Sequence, residues 1–105
     1  MKAPLSPYVN KRKNTIAFHI HNTCARIITL SGSFNHWAHD ELHPDPNESG
    51  KWVIEIPMLP IGSYHYKFFI DGRMWTEDIE NPLRVPDGVS GWNSILNVEA
   101  GFSES

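Results

Sequence analysis

The chain has a single cysteine among its 105 residues, so neither an internal disulfide framework nor a multi-cysteine zinc site can form. That thiol, Cys24, reads as a partly buried side chain. Basic residues are not in excess: nine Lys and Arg stand against twelve Asp and Glu, a formal charge of −3 with a pI near 6.0. This is not the basic footprint of a nucleic-acid-binding domain. The one basic cluster, Lys11-Arg12-Lys13, lies in a polar N-terminal stretch and reads as a solvated arm. No apolar run approaches the ~20 residues of a membrane-spanning helix, and the N-terminus lacks the apolar core of a secretory signal. A soluble, cytoplasmic protein with no nucleic-acid or membrane partner is expected. Glycine-rich phosphate loops and nucleophile elbows are also missing. The carboxylates Asp40, Glu41, Asp78 and Glu80 sit in turn-like segments without the apolar pocket that would raise one for acid catalysis. The pattern predicts a protein that is not an enzyme and needs no cofactor.

What is present is enough for one modest core. Leu, Ile, Val and Phe make up about a quarter of the chain, above the level at which disorder sets in, and the length suits one domain. Eight prolines and seven glycines punctuate segments that alternate with period two. Thr15 to His21 places Ile16, Phe18 and Ile20 on one face and His19 and His21 on the other, facing solvent. Arg26 to Leu30 is short and β-branched. Lys51 to Ile56 sets Trp52, Ile54 and Ile56 together, with Trp52 at the core or its edge. Ser63 to Asp71 alternates Tyr64, Tyr66, Phe68 and Ile70 with His65, Lys67 and Phe69, and a last strand holds Ile95, Leu96 and Val98. Asn47 to Gly50, Pro57 to Gly62, Asp71-Gly72 and Asp87-Gly88 supply the turns. Only Trp37 to His43 could wind into a helical turn or two before Pro44 and Pro46 stop it. The expected fold is an all-β antiparallel sandwich over residues 13–99, with a flexible arm (1–12) and a tail (100–105).

Three of the four tryptophans lie among turn-type residues. Trp37 follows Ser31-Gly32-Ser33-Phe34-Asn35-His36, Trp75 follows Asp71-Gly72-Arg73-Met74, and Trp92 lies between Gly91 and Asn93. A loop tryptophan can cap the end of a sandwich core; three together favour a surface platform. Lys67, opposite the apolar face of its strand, is either a plain solvated lysine or a donor to a ligand. Asn93 both donates and accepts, and serves equally as a turn residue before the last strand.

Ser31-Gly32-Ser33-Phe34-Asn35-His36-Trp37 resembles the SGSFNxW signature of the family-48 carbohydrate-binding modules. These include the glycogen-binding domain of the AMP-activated protein kinase β subunit and the N-terminal domains of glycogen-branching and debranching enzymes. Tyr66-Lys67-Phe68-Phe69-Ile70-Asp71-Gly72 is similar to the family's YKFxxDG hairpin, and Asn93-Ser94-Ile95-Leu96 to its NSxL stretch. The likeness runs over residues 15–98, with three motifs in order. It implies an immunoglobulin-like sandwich of the early-set type and a shallow surface site for α-1,4-glucans such as glycogen or starch. Trp37 and Trp75 would be the stacking aromatics, with Lys67 and Asn93 as hydrogen-bonding residues. Val89-Ser90-Gly91-Trp92 replaces the Leu, Gly, Thr and Val of the kinase module, so Trp92 becomes a candidate third aromatic. Ile79 stands where a proline is common.

Two other readings deserve weight. The same sandwich could be an interaction module that docks on a glycogen-metabolising enzyme or a kinase without binding sugar. His36, His39 and His43 would share a face if their segment were helical, but Trp37 and two prolines bracket it, and no metal site is assigned.

Overall fold

The structure, a computed structural model, describes residues 6–89 and 91–99. Ser90, the first five residues of the expected arm and the expected tail at 100–105 lie outside them. Among the described residues, ten strands and one 3-10 turn follow in order: β1 (Tyr8–Asn10), β2 (Thr15–His21), β3 (Ile28–Gly32), the turn Ser33–Asn35, β4 (Asp40–Glu41), β5 (His43–Pro44), β6 (Lys51–Pro57), β7 (Gly62–Ile70), β8 (Met74–Thr76), β9 (Arg84–Pro86) and β10 (Trp92–Val98). They form two antiparallel sheets, β1-β2-β6-β5 and β4-β3-β7-β10-β9, with β8 also paired to β7. The fold is the all-β antiparallel sandwich that the alternation predicts, of the immunoglobulin-like form that the resemblance implies.

Period-two patterning decides which faces meet. Register sets Ile16 opposite Ile56, Phe18 opposite Ile54 and Ile20 opposite Trp52. These side chains pack with Ile28, Leu30, Tyr66, Phe68, Ile70, Leu96 and Val98 of the second sheet in one core. Trp52 closes the edge of that core, its indole N–H donating to the Asn22 carbonyl at 3.1 Å. Phe18, Tyr66 and Phe68 are fully buried and meet edge to face, with centroids 5.0 Å (Phe18–Tyr66) and 6.0 Å (Tyr66–Phe68) apart, the arrangement aromatic quadrupoles favour.

A polar cluster is buried beside these rings. The Asp78 carboxylate accepts from the Ser6 hydroxyl (2.7 Å) and the Tyr66 phenol (2.8 Å), while the Asp78 backbone N–H donates to Ser94 Oγ at 2.7 Å. Asn81 donates to the Tyr66 oxygen at 3.0 Å and to the Ile95 carbonyl at 2.9 Å. Burial pushes the Asp78 carboxyl and, far more, the Tyr66 phenol upward. No buried side-chain polar atom among the described residues lacks a partner, as such a cluster requires.

Five expectations need correction. Asp78, read as lying in a turn-like segment without an apolar pocket, is 1% exposed, and burial raises its carboxyl. Tyr8–Asn10, within the stretch read as an arm, pairs with Ala17–Thr15 as β1; its hydrogen bonds come from β2, which no local pattern reveals. Cys24 is exposed: Asn22 Oδ1 accepts from the N–H groups of Cys24 and Ala25, both at 2.8 Å, and the thiol rides on the outside of that turn. His19 is buried, only 9% exposed, because Ser6 and Glu80 cover it. The Trp37–His43 segment holds no helix; it runs into β4 and β5, so His36, His39 and His43 share no helical face.

Candidate functional site

Trp37, Lys67, Trp75 and Asn93, four of the five expected residues, lie about one outer face of the larger sheet. Lys67 and Phe69 point away from the core because Tyr66, Phe68 and Ile70 point into it. Register places Ser31 opposite Lys67 and Thr29 opposite Phe69 on one side, and Trp75 opposite Phe69 on the other. That last pairing is set by the Asp71-Gly72 turn. Both residues lie in the left-handed region, at φ 55° and 65°, as a tight hairpin demands, and the Arg73 N–H closes it on the Ile70 carbonyl at 3.1 Å. Asp71 also accepts from the backbone N–H groups of Ile27 and Arg26, which hold its carboxyl below the usual range. A one-residue slip here would turn Trp75 to the other face.

Trp75 lies on Phe69 with centroids 4.3 Å apart and planes at 28°. The His39 ring sits beside both, at 5.1 Å from Phe69 and 5.7 Å from Trp75. With one face supported in this way, Trp75 remains 45% exposed. Trp37 arrives from the turn after β3. Asn35 builds that turn: its Oδ1 accepts from the Gly32 N–H at 3.0 Å, and its amide donates to Leu30 O and Asp40 Oδ2. The Trp37 N–H then donates to the Gly32 carbonyl at 2.9 Å. His36 and Trp37 both have left-handed backbone, φ 57° and 59°, and strain of this kind in non-glycine residues collects at binding sites. Trp37 is 40% exposed. Gly32 is required, since a Cβ there would lie 2.5 Å from the Phe34 ring and 2.8 Å from the His65 carbonyl. Gly32, Asn35 and His36 of the Ser31–Trp37 motif thus help to aim one indole outward.

Trp37, Trp75, Lys67 and Asn93 line one open hollow of about 300 Å³, together with Asp87 and Val89. Asp87 is the residue that sequence reasoning missed; only its place in an Asp-Gly turn marked it. Its Oδ2 accepts from Lys67 Nζ at 2.6 Å, and its Oδ1 from the backbone N–H groups of Val89 (2.8 Å) and Gly91 (3.1 Å). The Lys67 ammonium, then those two N–H groups, hold the Asp87 carboxyl far below its ordinary value. Lys67 is therefore clamped across the sheet rather than waving in solvent, with two ammonium protons left for other acceptors.

Trp92 is not part of this hollow. In β10, Asn93 faces Val85 while Ser94 and Leu96 turn to the core, so alternation sends Trp92 to the face opposite Asn93. Its ring lies under Arg84, whose guanidinium carbon is 4.1 Å from the centroid, a cation–π contact. A hollow of about 310 Å³ on the smaller sheet, bordered by Tyr8, Lys13, Val53 and Glu55, has no pair of indoles. His65 and Ile95 share the outer face but lie outside the first hollow. Among the described residues no helix is long and apolar enough to cross a membrane.

A β-sandwich that holds two half-exposed indoles and a clamped lysine around an open hollow has the form of a small binding module. Residues 15–101 match the family described as the glycogen recognition site of AMP-activated protein kinase, and the chain belongs to that family. It is 38% identical over 72 residues to 5'-AMP-activated protein kinase subunit beta-1 of Rattus norvegicus and of Homo sapiens; the match takes in 69% of this chain and 24% of each relative. Against subunit beta-2 of Mus musculus it is 33% identical over 73 residues, 69% of this chain and 25% of the relative. The chain thus spans about a quarter of the length of these relatives.

Proposed function

We propose that the hollow binds an α-1,4-glucan of the glycogen or starch type, without catalysis. The observation that carries this reading is the convergence of Trp37 and Trp75, each open on one side, with Lys67 and Asn93 around one shallow site. A pyranose offers an apolar face of C–H groups and a rim of hydroxyls. Indoles suit the face at little entropic cost; an ammonium and an amide suit the rim. Lys67 and Asp87 neutralise one another, so the site carries no net charge to attract an ionic ligand. Membership of a glycogen-recognition family supports the same ligand.

Stacking on an aromatic side chain is worth about 1–3 kcal/mol per ring, taking nucleobases as the analogue. Two such contacts set against the entropy of association give a Kd of roughly micromolar to millimolar order. Docking on an enzyme or kinase partner without sugar would leave the two indoles no shared task; a kinase assembly is proposed only as the setting, since the relatives are kinase subunits by name. Native-gel retardation with glycogen, β-cyclodextrin and a β-linked glucan tests the reading. Glycogen and β-cyclodextrin should retard the chain and the β-linked glucan should not. Trp37→Ala and Trp75→Ala should each weaken retention by about 5- to 150-fold, Lys67→Gln by less, and salt should matter little. Equal retention of the wild type and both tryptophan variants would refute it.

A further inference from the structure

We propose that His19, His21 and Glu80 form a binding site for a transition-metal ion of the Zn²⁺ class, separate from the glucan hollow. The three donor groups lie within 4.8 Å of one another. One Glu80 oxygen is 2.7 Å from His19 Nε2 and the other is 2.8 Å from His21 Nδ1, so the carboxylate already stands between the two imidazoles. Zn²⁺ binds imidazole nitrogen and carboxylate oxygen at about 2.0–2.2 Å. An ion entering between these donors would replace the hydrogen bonds with metal bonds after small side-chain rotations. Two imidazoles and one carboxylate favour Zn²⁺ and its neighbours over Mg²⁺ or Ca²⁺, which take oxygen ligands. Three protein ligands leave a coordination position for water.

The support for these donors is what separates the cluster from a casual surface ion pair. His19 and His21 are two apart on β2, so both leave the same face, and β2 is held at the centre of its sheet by β1 and β6. Glu80 is presented by a turn that the buried Asp78 anchors: the Glu80 N–H donates to Asp78 Oδ1 at 3.1 Å, and the Asn81 N–H to the Asp78 carbonyl at 3.0 Å. The other nitrogen of His21, Nε2, meets Glu48 at 2.9 Å. A carboxylate in that place orients a metal-bound imidazole through its distal N–H, the usual outer partner of a histidine ligand. Lys51, 3.8 Å from Glu48, is the one cation bordering the cluster through an ion pair among the described residues. His21 is thus held from both sides, by Glu80 at Nδ1 and by Glu48 at Nε2.

The test is calorimetric titration of ZnCl₂ into the whole chain at neutral pH, with MgCl₂ as control, followed by thermal melts. One equivalent of Zn²⁺ should bind and raise the melting temperature with concentration, while Mg²⁺ does nothing. His21→Asn and Glu80→Gln, both at exposed positions, should each lower Zn²⁺ affinity at least tenfold. The combined His36→Asn, His43→Asn and His65→Asn variant should bind as the wild type does. Co²⁺ should give visible absorption that His21→Asn abolishes. Absence of saturable binding overturns the proposal. So does binding that survives His21→Asn and Glu80→Gln, or that disappears with the other three histidines.

Discussion

Gly32→Ala separates the indole-aiming turn from the rest of the fold. The backbone at Gly32 is extended, φ −161°, so alanine is conformationally allowed and the penalty comes only from space. The added Cβ would sit 2.5 and 2.8 Å from two carbons of the Phe34 ring and 2.8 Å from the His65 carbonyl. Neither can withdraw freely. Phe34 is packed against Phe18 and Tyr64, with centroids 5.9 and 6.2 Å away, and the His65 carbonyl belongs to β7. Forcing a methyl group into such a contact costs about 1–3 kcal/mol. For a domain of this size, that lowers the melting temperature by roughly 5–20 °C. The relief available is a shift of the Ser33–Asn35 turn, which moves Trp37 and removes one stacked ring, an expected ~5- to 150-fold loss of glycogen affinity. Thermal melts and affinity electrophoresis on glycogen measure both. Gly72→Ala is the comparison for stability alone: φ is 65° but nothing lies within 4 Å, so only the left-handed penalty of about 1–2 kcal/mol applies. A Gly32→Ala protein that melts and binds like the wild type would refute the account of the turn.

Two further outcomes test the frame around the site. Tyr66→Phe removes a hydrogen bond to the buried Asp78 carboxylate and should cost about 1.5–3 kcal/mol by chemical denaturation, while glycogen retention stays unchanged; loss of retention would show that the buried cluster acts on the hollow. The Asp71 carboxyl is held low by the Ile27 and Arg26 N–H groups, so its contribution to stability is present above the ordinary value of 3.8 and is lost as pH falls through the lower folded value. Asp71→Asn should therefore flatten the acid limb of a stability–pH curve, and an unchanged limb would contradict the assignment.

The alternating strands β2, β6 and β7 were legible from the chain alone, because burying one face of a sheet imposes period two on the sequence, whereas β10 was read only from Ile95 although it begins at Trp92. Thr15–His21 coincides with β2, and the longest alternating run matches β7 to within a residue at each end. Short strands left no such trace: β1, β4, β5, β8 and β9 have two or three residues each, and their backbone bonds are completed by distant partners. The motif residues also told which side chains to watch, since Gly32, Asn35, Asp71 and Gly72 are there for local backbone geometry.

The amino-acid sequence thus determined the sandwich, the outward face of Lys67 and the turns that carry Trp37 and Trp75, because periodicity and turn chemistry act over a few neighbouring residues. Tertiary structure alone decided that Asp87 clamps Lys67 across 20 positions and that Trp92 faces away under Arg84. It alone buried His19 beneath Glu80, 61 positions further on. These outcomes depend on which distant segments the sheet registers bring together, and no local pattern encodes the approach of one loop to another.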